Sequence, residues 1–90
     1  MTESNAASEQ LQFPLTWKGR IIAEVSAAGT RESIANLLRG FGKDAAPERG
    51  RTSRKGTYVT YRVEVVFEDR DVMRQIMHAL SAIEGVRTVL

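Results

Sequence analysis

Few residues in this 90-residue chain are equipped for bond-making chemistry. There is one histidine, His78, and no cysteine. That removes disulfides, thiolate zinc sites, cysteine nucleophiles and histidine-based metal clusters. His78 has Arg74 one turn before it and no carboxylate four residues away, so it lacks the orienting partner a general base uses. It reads as a partly exposed residue on a helix flank. The serines at 4, 8, 26, 33, 53 and 81 have no base at local spacing. Asp69 and Asp71 fall at an expected helix start, where carboxylates complement the positive end of the dipole rather than hold a metal. The expectation is a non-enzymatic protein with no cofactor and no metal.

The remaining chemistry is that of cations. The net charge of +2 gives a weak overall field, but the charges are unevenly spread. Residues 43–62 carry Lys43, Arg49, Arg51, Arg54, Lys55 and Arg62 against only Asp44 and Glu48. Such a run either keeps an exposed edge soluble or binds anions. Arg51, Arg54, Lys55 and Tyr58, supported by Arg20 and Arg62, are the candidate partner- or anion-binding residues. Their guanidinium and ammonium groups suit carboxylates or phosphates, and the tyrosine ring supplies packing area.

Two motifs come close to known signatures. Arg39-Gly40-Phe41-Gly42-Lys43 is not a Walker A loop, because Asp44 replaces the Ser/Thr and the upstream glycine is missing. It matches the first half of the RNA-recognition-motif signature and then fails at Lys43-Asp44-Ala45-Ala46. The segment from Arg54 through Tyr58, Val59 and Tyr61 matches the same signature in part. There Tyr58 would be an exposed stacking ring and Arg54 a phosphate contact, but Gly56 occupies the second stacking position. These modules stack two or three bases. RNA binding through an open sheet face and the basic turn is therefore the alternative reading.

The elements that must position these residues are legible in the periodicity. Residues 1–12 are small and polar and are expected to form a disordered tail, with a single domain over 13–90. No apolar run approaches the ~20 residues a membrane helix needs. The N-terminus has neither a basic nor an apolar region of signal-peptide type, so a cytoplasmic location is expected. Residues 15–26 alternate, with Leu15, Trp17, Gly19, Ile21, Ala23 and Val25 on one side. Thr30 is the expected N-cap of a helix over 31–41 carrying Ile34, Leu37, Leu38 and Phe41 on one face. Gly40 and Gly42 end it.

Residues 50–54 suit a short polar edge strand, and Arg54-Lys55-Gly56 a turn. Residues 57–67 form the strongest strand, with Val59, Tyr61, Val63, Val65 and Phe67 sharing a face. Asp69 caps a second helix with Val72, Met73, Ile76, Met77, Leu80 and Ile83 as its stripe and Gly85 as its stop. Residues 86–90 close the chain as a strand.

The order β-α-β-β-α-β predicts an α+β ferredoxin-like sandwich, an antiparallel four-stranded sheet with both helices on one face. The first and third strands become central neighbours, and the last lies beside the first. Aligning the midpoints of the central pair sets Arg20 against Arg62, Lys18 against Glu64 and Ile22 against Thr60. On this reading Ile22 and Val89 form a small apolar patch on the open face, a surface for a homodimer or another protein partner.

Several segments resemble the YbeD-like family of small bacterial proteins, a family of unknown function. The residues carrying the resemblance are Phe13-Pro14 with Trp17-Lys18, then Ser53-Arg54-Lys55-Gly56-Thr57-Tyr58, and finally Val86-Arg87-Thr88-Val89-Leu90. The resemblance implies a ferredoxin-like fold similar to ACT regulatory domains and no established enzymatic activity. It also implies a regulatory role by analogy with ACT domains, which bind small ligands and control partner enzymes. ACT domains carry Asp and Pro-Gly near the first strand–helix turn, where this chain has Ala27-Ala28-Gly29-Thr30. The expectation is a small regulatory or interaction module that binds a protein partner or a small ligand.

Overall fold

The computed structural model describes residues 11–90. Most of the expected tail, residues 1–10, lies outside the described residues. The elements are β1 (Leu15–Glu24), α1 (Thr30–Gly40), β2 (Glu48–Thr52), β3 (Tyr58–Phe67), α2 (Arg70–Ser81) and β4 (Val86–Val89). The strands form one antiparallel sheet in the order β2-β3-β1-β4. This is the ferredoxin-like arrangement.

Alternation sorts β1 and β3 into two faces. Ile21 and Ala23 of β1, with Val59, Tyr61, Val63, Val65 and Phe67 of β3, are buried against Ile34 and Leu38 of α1 and Ile76 and Leu80 of α2. Among the described residues, no helix covers the other face. The central register matches the sequence expectation: Lys18 lies opposite Glu64, Arg20 opposite Arg62 and Ile22 opposite Thr60. Both strands are ten residues long, so apolar matching fixes the slip.

The helix ends obey local chemistry, with two corrections. Thr30 is not the N-cap of α1. Gly29 holds that position at φ 73°, where glycine meets no steric penalty. Thr30 is buried inside the first turn and donates its hydroxyl to the Ala27 carbonyl at 3.3 Å. At the other end, Gly42 donates to the Arg39 carbonyl and Lys43 to that of Leu38, closing a Schellman motif with Gly42 at φ 78°. The Arg-Gly-Phe-Gly-Lys run is therefore a helix terminator. Asp69 does cap α2, accepting from Val72 N–H at 2.9 Å. Gly85, however, is not the stop: α2 ends at Ser81, and Ile83 packs on the core from the turn beyond it.

Two more expectations are corrected. Alternation puts Val25 on the inner face, but β1 ends at Glu24 and Val25 is exposed in the next turn. The sequence pattern puts Val89 on the open face. It lies instead across from Ile21 and packs on the core, because the β1–β4 register shifts between Ile22 and Ala23. That irregularity reverses the in–out parity of β4. The expected Ile22–Val89 patch does not form, and Thr88 stands opposite Ile22.

Candidate functional site

The open face of the sheet is built in cross-strand rows. Lys18 faces Glu64, Arg20 faces Arg62, Ile22 faces Thr60, and Glu24 faces Tyr58. Arg20 exchanges both its backbone hydrogen bonds with Leu90, on the β4 side. Its N–H and C=O therefore point away from β3. Arg20 and Arg62 form a non-hydrogen-bonded pair, the kind whose Cα atoms approach to about 4.5 Å and whose side chains lie closest. Two guanidinium groups thus rise side by side from the middle of the sheet.

The third cation arrives through a bulge. Glu48 pairs with Arg62, Arg49 with Tyr61 and Thr52 with Val59, with a register shift between Arg49 and Thr52. One residue too many sits in that interval, so Gly50 and Arg51 together oppose Thr60. A regular strand could not place Glu48 and Arg51 on one face, since they are three residues apart. Gly50 suits the position because a Cβ there would come within 3.1 Å of the Thr60 carbonyl oxygen.

The loop before β2 is held at both ends. Arg31 Nε donates to the Pro47 carbonyl at 3.0 Å. Lys43, its side chain 12% exposed, donates to Glu68 at 2.5 Å. That hydrogen bond is the main cause holding the Glu68 carboxyl below its usual range. These anchors fix where β2 starts, and hence where Arg51 projects.

The product is a depression of about 530 Å³ lined by Arg20, Gly50, Arg51, Thr60 and Arg62. Three of the six residues singled out from the sequence, Arg20, Arg51 and Arg62, meet there. The other three do not line it. Arg54 and Lys55 sit in the β2–β3 turn, and Tyr58 opens β3 with its side chain exposed. That turn is tied by Ser53, whose Oγ accepts from the N–H groups of Thr57 at 3.1 Å and Tyr58 at 3.0 Å. The edge strand runs over 48–52 rather than the expected 50–54, and this moves Arg54 out of the sheet. Sequence reasoning missed Gly50 as part of the site. The available signal was a lone glycine within a polar strand, which often marks a bulge.

The charges on this face do not balance locally. Lys18 has Glu64 as its cross-strand partner, and Arg87 pairs with Glu24 at 3.5 Å. Arg62 reaches Glu48 only at 4.0 Å. Arg20 and Arg51 make no salt bridge among the described residues. A second depression, of about 470 Å³, adjoins the first and shares Arg62 with it; Lys18, Glu48 and Glu64 mix both signs there. Among the described residues, no group of three or more His, Asp or Glu side chains is placed to hold a metal ion. His78 is exposed in the last turn of α2. No helix of the described residues is long and apolar enough to cross a membrane.

Comparison with known proteins identifies the family. Residues 8–90 match the model of a family described as a protein of unknown function, DUF493, and the chain belongs to that family. It is similar to a UPF0250 protein of Shewanella sediminis, 28% identical over 82 residues, 91% of this chain and 92% of the relative. A UPF0250 protein of Shewanella amazonensis is 27% identical over the same shares. Among solved structures, the solution structure of protein HP0495 from H. pylori aligns over 100% of this chain and 96% of its own, with TM-score 0.77 and 18% identity. The ACT domain of the GTP pyrophosphokinase of Chlorobium tepidum aligns over 84% and 95%, with TM-score 0.66 and 19% identity. At these identities the structural likeness speaks to the fold, in agreement with the YbeD-like and ACT-like reading of the sequence.

Proposed function

We propose that this chain is a non-enzymatic, cytoplasmic regulatory module that recognises an anionic group on a protein partner through its open sheet face. Arg20, Arg51 and Arg62 are the primary contacts. Arg54 and Lys55 extend the positive field at the β2–β3 turn, and Tyr58 adds packing area. The observation that carries this reading is the convergence of three arginines from three strands on one depression, with, among the described residues, a single carboxylate at the limit of ion-pair distance. Charge-assisted contacts from arginine are strong and directional, which suits recognition. The ACT-like fold supports a regulatory role: the similar domain from Chlorobium tepidum comes from a GTP pyrophosphokinase.

The test is affinity capture from the source cell's lysate, with and without nuclease, comparing the wild type with an Arg20→Ser, Arg51→Ser, Arg62→Ser triple variant. A protein retained by the wild type and lost by the variant supports the module. Capture unchanged in the variant removes the site assignment. A catch that disappears when nuclease is added favours the RNA reading, in which Tyr58 stacks a base.

A further inference from the structure

Resting on the reading of the open face as a recognition surface, we infer that the arginine depression is a site for a small molecule carrying a phosphate or diphosphate group. Three features of the depression separate this ligand from a simple carboxylate.

The first is the cross-strand Arg20–Arg62 pair. Like charges directly opposite on neighbouring strands destabilise a sheet, and this pair is of the close, non-hydrogen-bonded kind. Arg51 adds a third positive charge to the same hollow. An anion seated between them converts mutual repulsion into shared attraction.

The second is stoichiometry. Two carboxylate oxygens satisfy one guanidinium in the fork-to-fork geometry. A terminal phosphate offers three acceptor oxygens and carries a charge of about −1.5 to −2 at neutral pH. After Lys18, Arg62 and Arg87 are set against Glu64, Glu48 and Glu24, Arg20 and Arg51 remain without a counterion among the described residues. That surplus of two matches a dianion.

The third is the floor. Gly50 puts no side chain over the strand, and Thr60, a half-buried residue with a hydroxyl, lines the hollow with the arginines. A hydroxyl and an uncovered backbone allow close approach of a polar group. The hollow, at about 530 Å³, leaves room for a body attached to the phosphate.

The test is titration of the full chain at low ionic strength, read by backbone amide NMR shifts. The probes are inorganic pyrophosphate and phosphate, with acetate and succinate as carboxylate controls and a single-stranded oligoribonucleotide as the polymeric phosphate. The expected result is saturable shifts with pyrophosphate at Arg20, Gly50, Arg51, Thr60 and Arg62. Arg51→Ser and Arg62→Ser should each weaken binding by about tenfold or more. Arg74→Ser, which removes an equal charge from α2, should leave it unchanged.

Failure of pyrophosphate and phosphate to shift these amides overturns the assignment, as does succinate binding equally well. So does an oligonucleotide that binds far more tightly than pyrophosphate and moves Arg54, Lys55 and Tyr58 as well. The two readings fail separately. Absent phosphate binding with arginine-dependent partner capture sinks the ligand class and leaves the module. Saturable phosphate binding with arginine-independent capture does the reverse.

Discussion

The indole of Trp17 lies over Gly19, two residues along the inner face of β1, in the volume a Cβ at that position would occupy. The ring is held there by stacking on Phe67, with centroids 5.6 Å apart. Gly19 is thus a seat for Trp17, and a methyl group on it forces the indole off its contact. Gly19→Ala should destabilise the fold by about 1–3 kcal/mol, as overpacking does. A double-mutant cycle in urea with Trp17→Ala checks this. In the Trp17→Ala background the alanine should cost far less. Equal costs in both backgrounds would show that Gly19 is needed for another reason.

The capping carboxylate of α2 supports a second prediction. Asp69 accepts a hydrogen bond from Val72 N–H, satisfying one of the orphan donors of the first turn. Asp69→Ala should cost about 1 kcal/mol, and Asp69→Asn should keep most of the stability, because asparagine caps equally well. Denaturant midpoints of the two variants decide it. If asparagine falls as far as alanine, charge at the helix end matters more than the cap.

The Lys43–Glu68 clasp makes stability depend on pH. The hydrogen bond from Lys43 lowers the folded-state pKa of Glu68 below its ordinary value of 4.5. A carboxyl depressed in the folded state stabilises above its unfolded pKa, and that contribution is lost as pH falls through the folded value. Melting temperatures of the wild type and Glu68→Gln should therefore differ at pH 7 and converge on acidification below 4.5. Glu68 is largely exposed, so the gap at pH 7 should be small. A gap constant across the range would mean that the clasp acts through shape alone.

Removing a guanidinium from the central pair should stabilise the fold. Arg20→Thr deletes one member of the like-charged row and places a β-branched residue in a central strand. We expect a gain of about 0.2–1 kcal/mol at low ionic strength, shrinking towards nothing in 1 M salt as repulsion is screened. Thermal melts at both salt concentrations test it. A loss of stability at low salt would show that the aliphatic stem of Arg20 contributes more through packing than its charge takes away.

How far the sequence leads depends on the strand. For β1 and β3 it leads almost all the way. Their alternation names the core, and their equal length fixes the register that sets Arg20 against Arg62. The two edge strands escape it. Each carries one irregularity, between Arg49 and Thr52 in β2 and opposite Ile22 and Ala23 in β4. One extra residue reverses the parity of every residue beyond it, and nothing in Val-Arg-Thr-Val announces this. Hence Val89 turns inward against expectation. Likewise Arg51, grouped by sequence with the basic turn, joins Arg20 and Arg62 across the sheet. The capping error at Thr30 has a similar root. A hydroxyl before a helix suggests a cap, but the chain needs a left-handed residue to enter α1, and Gly29 provides it.

The strand order has a consequence in time. β1 is made before the other strands, yet both of its partners, β3 and β4, come much later in the sequence; only β2 and β3 pair as a local hairpin. During synthesis β1 therefore emerges with two bare hydrogen-bonding edges and an apolar side. It must wait for β3 to cover one edge and for Leu90 to reach Arg20 on the other. Pairings this distant form slowly and leave aggregation-prone edges exposed meanwhile. The nascent chain is therefore most vulnerable before β3 arrives, while both edges of β1 are bare, and one edge stays open until β4 pairs with it.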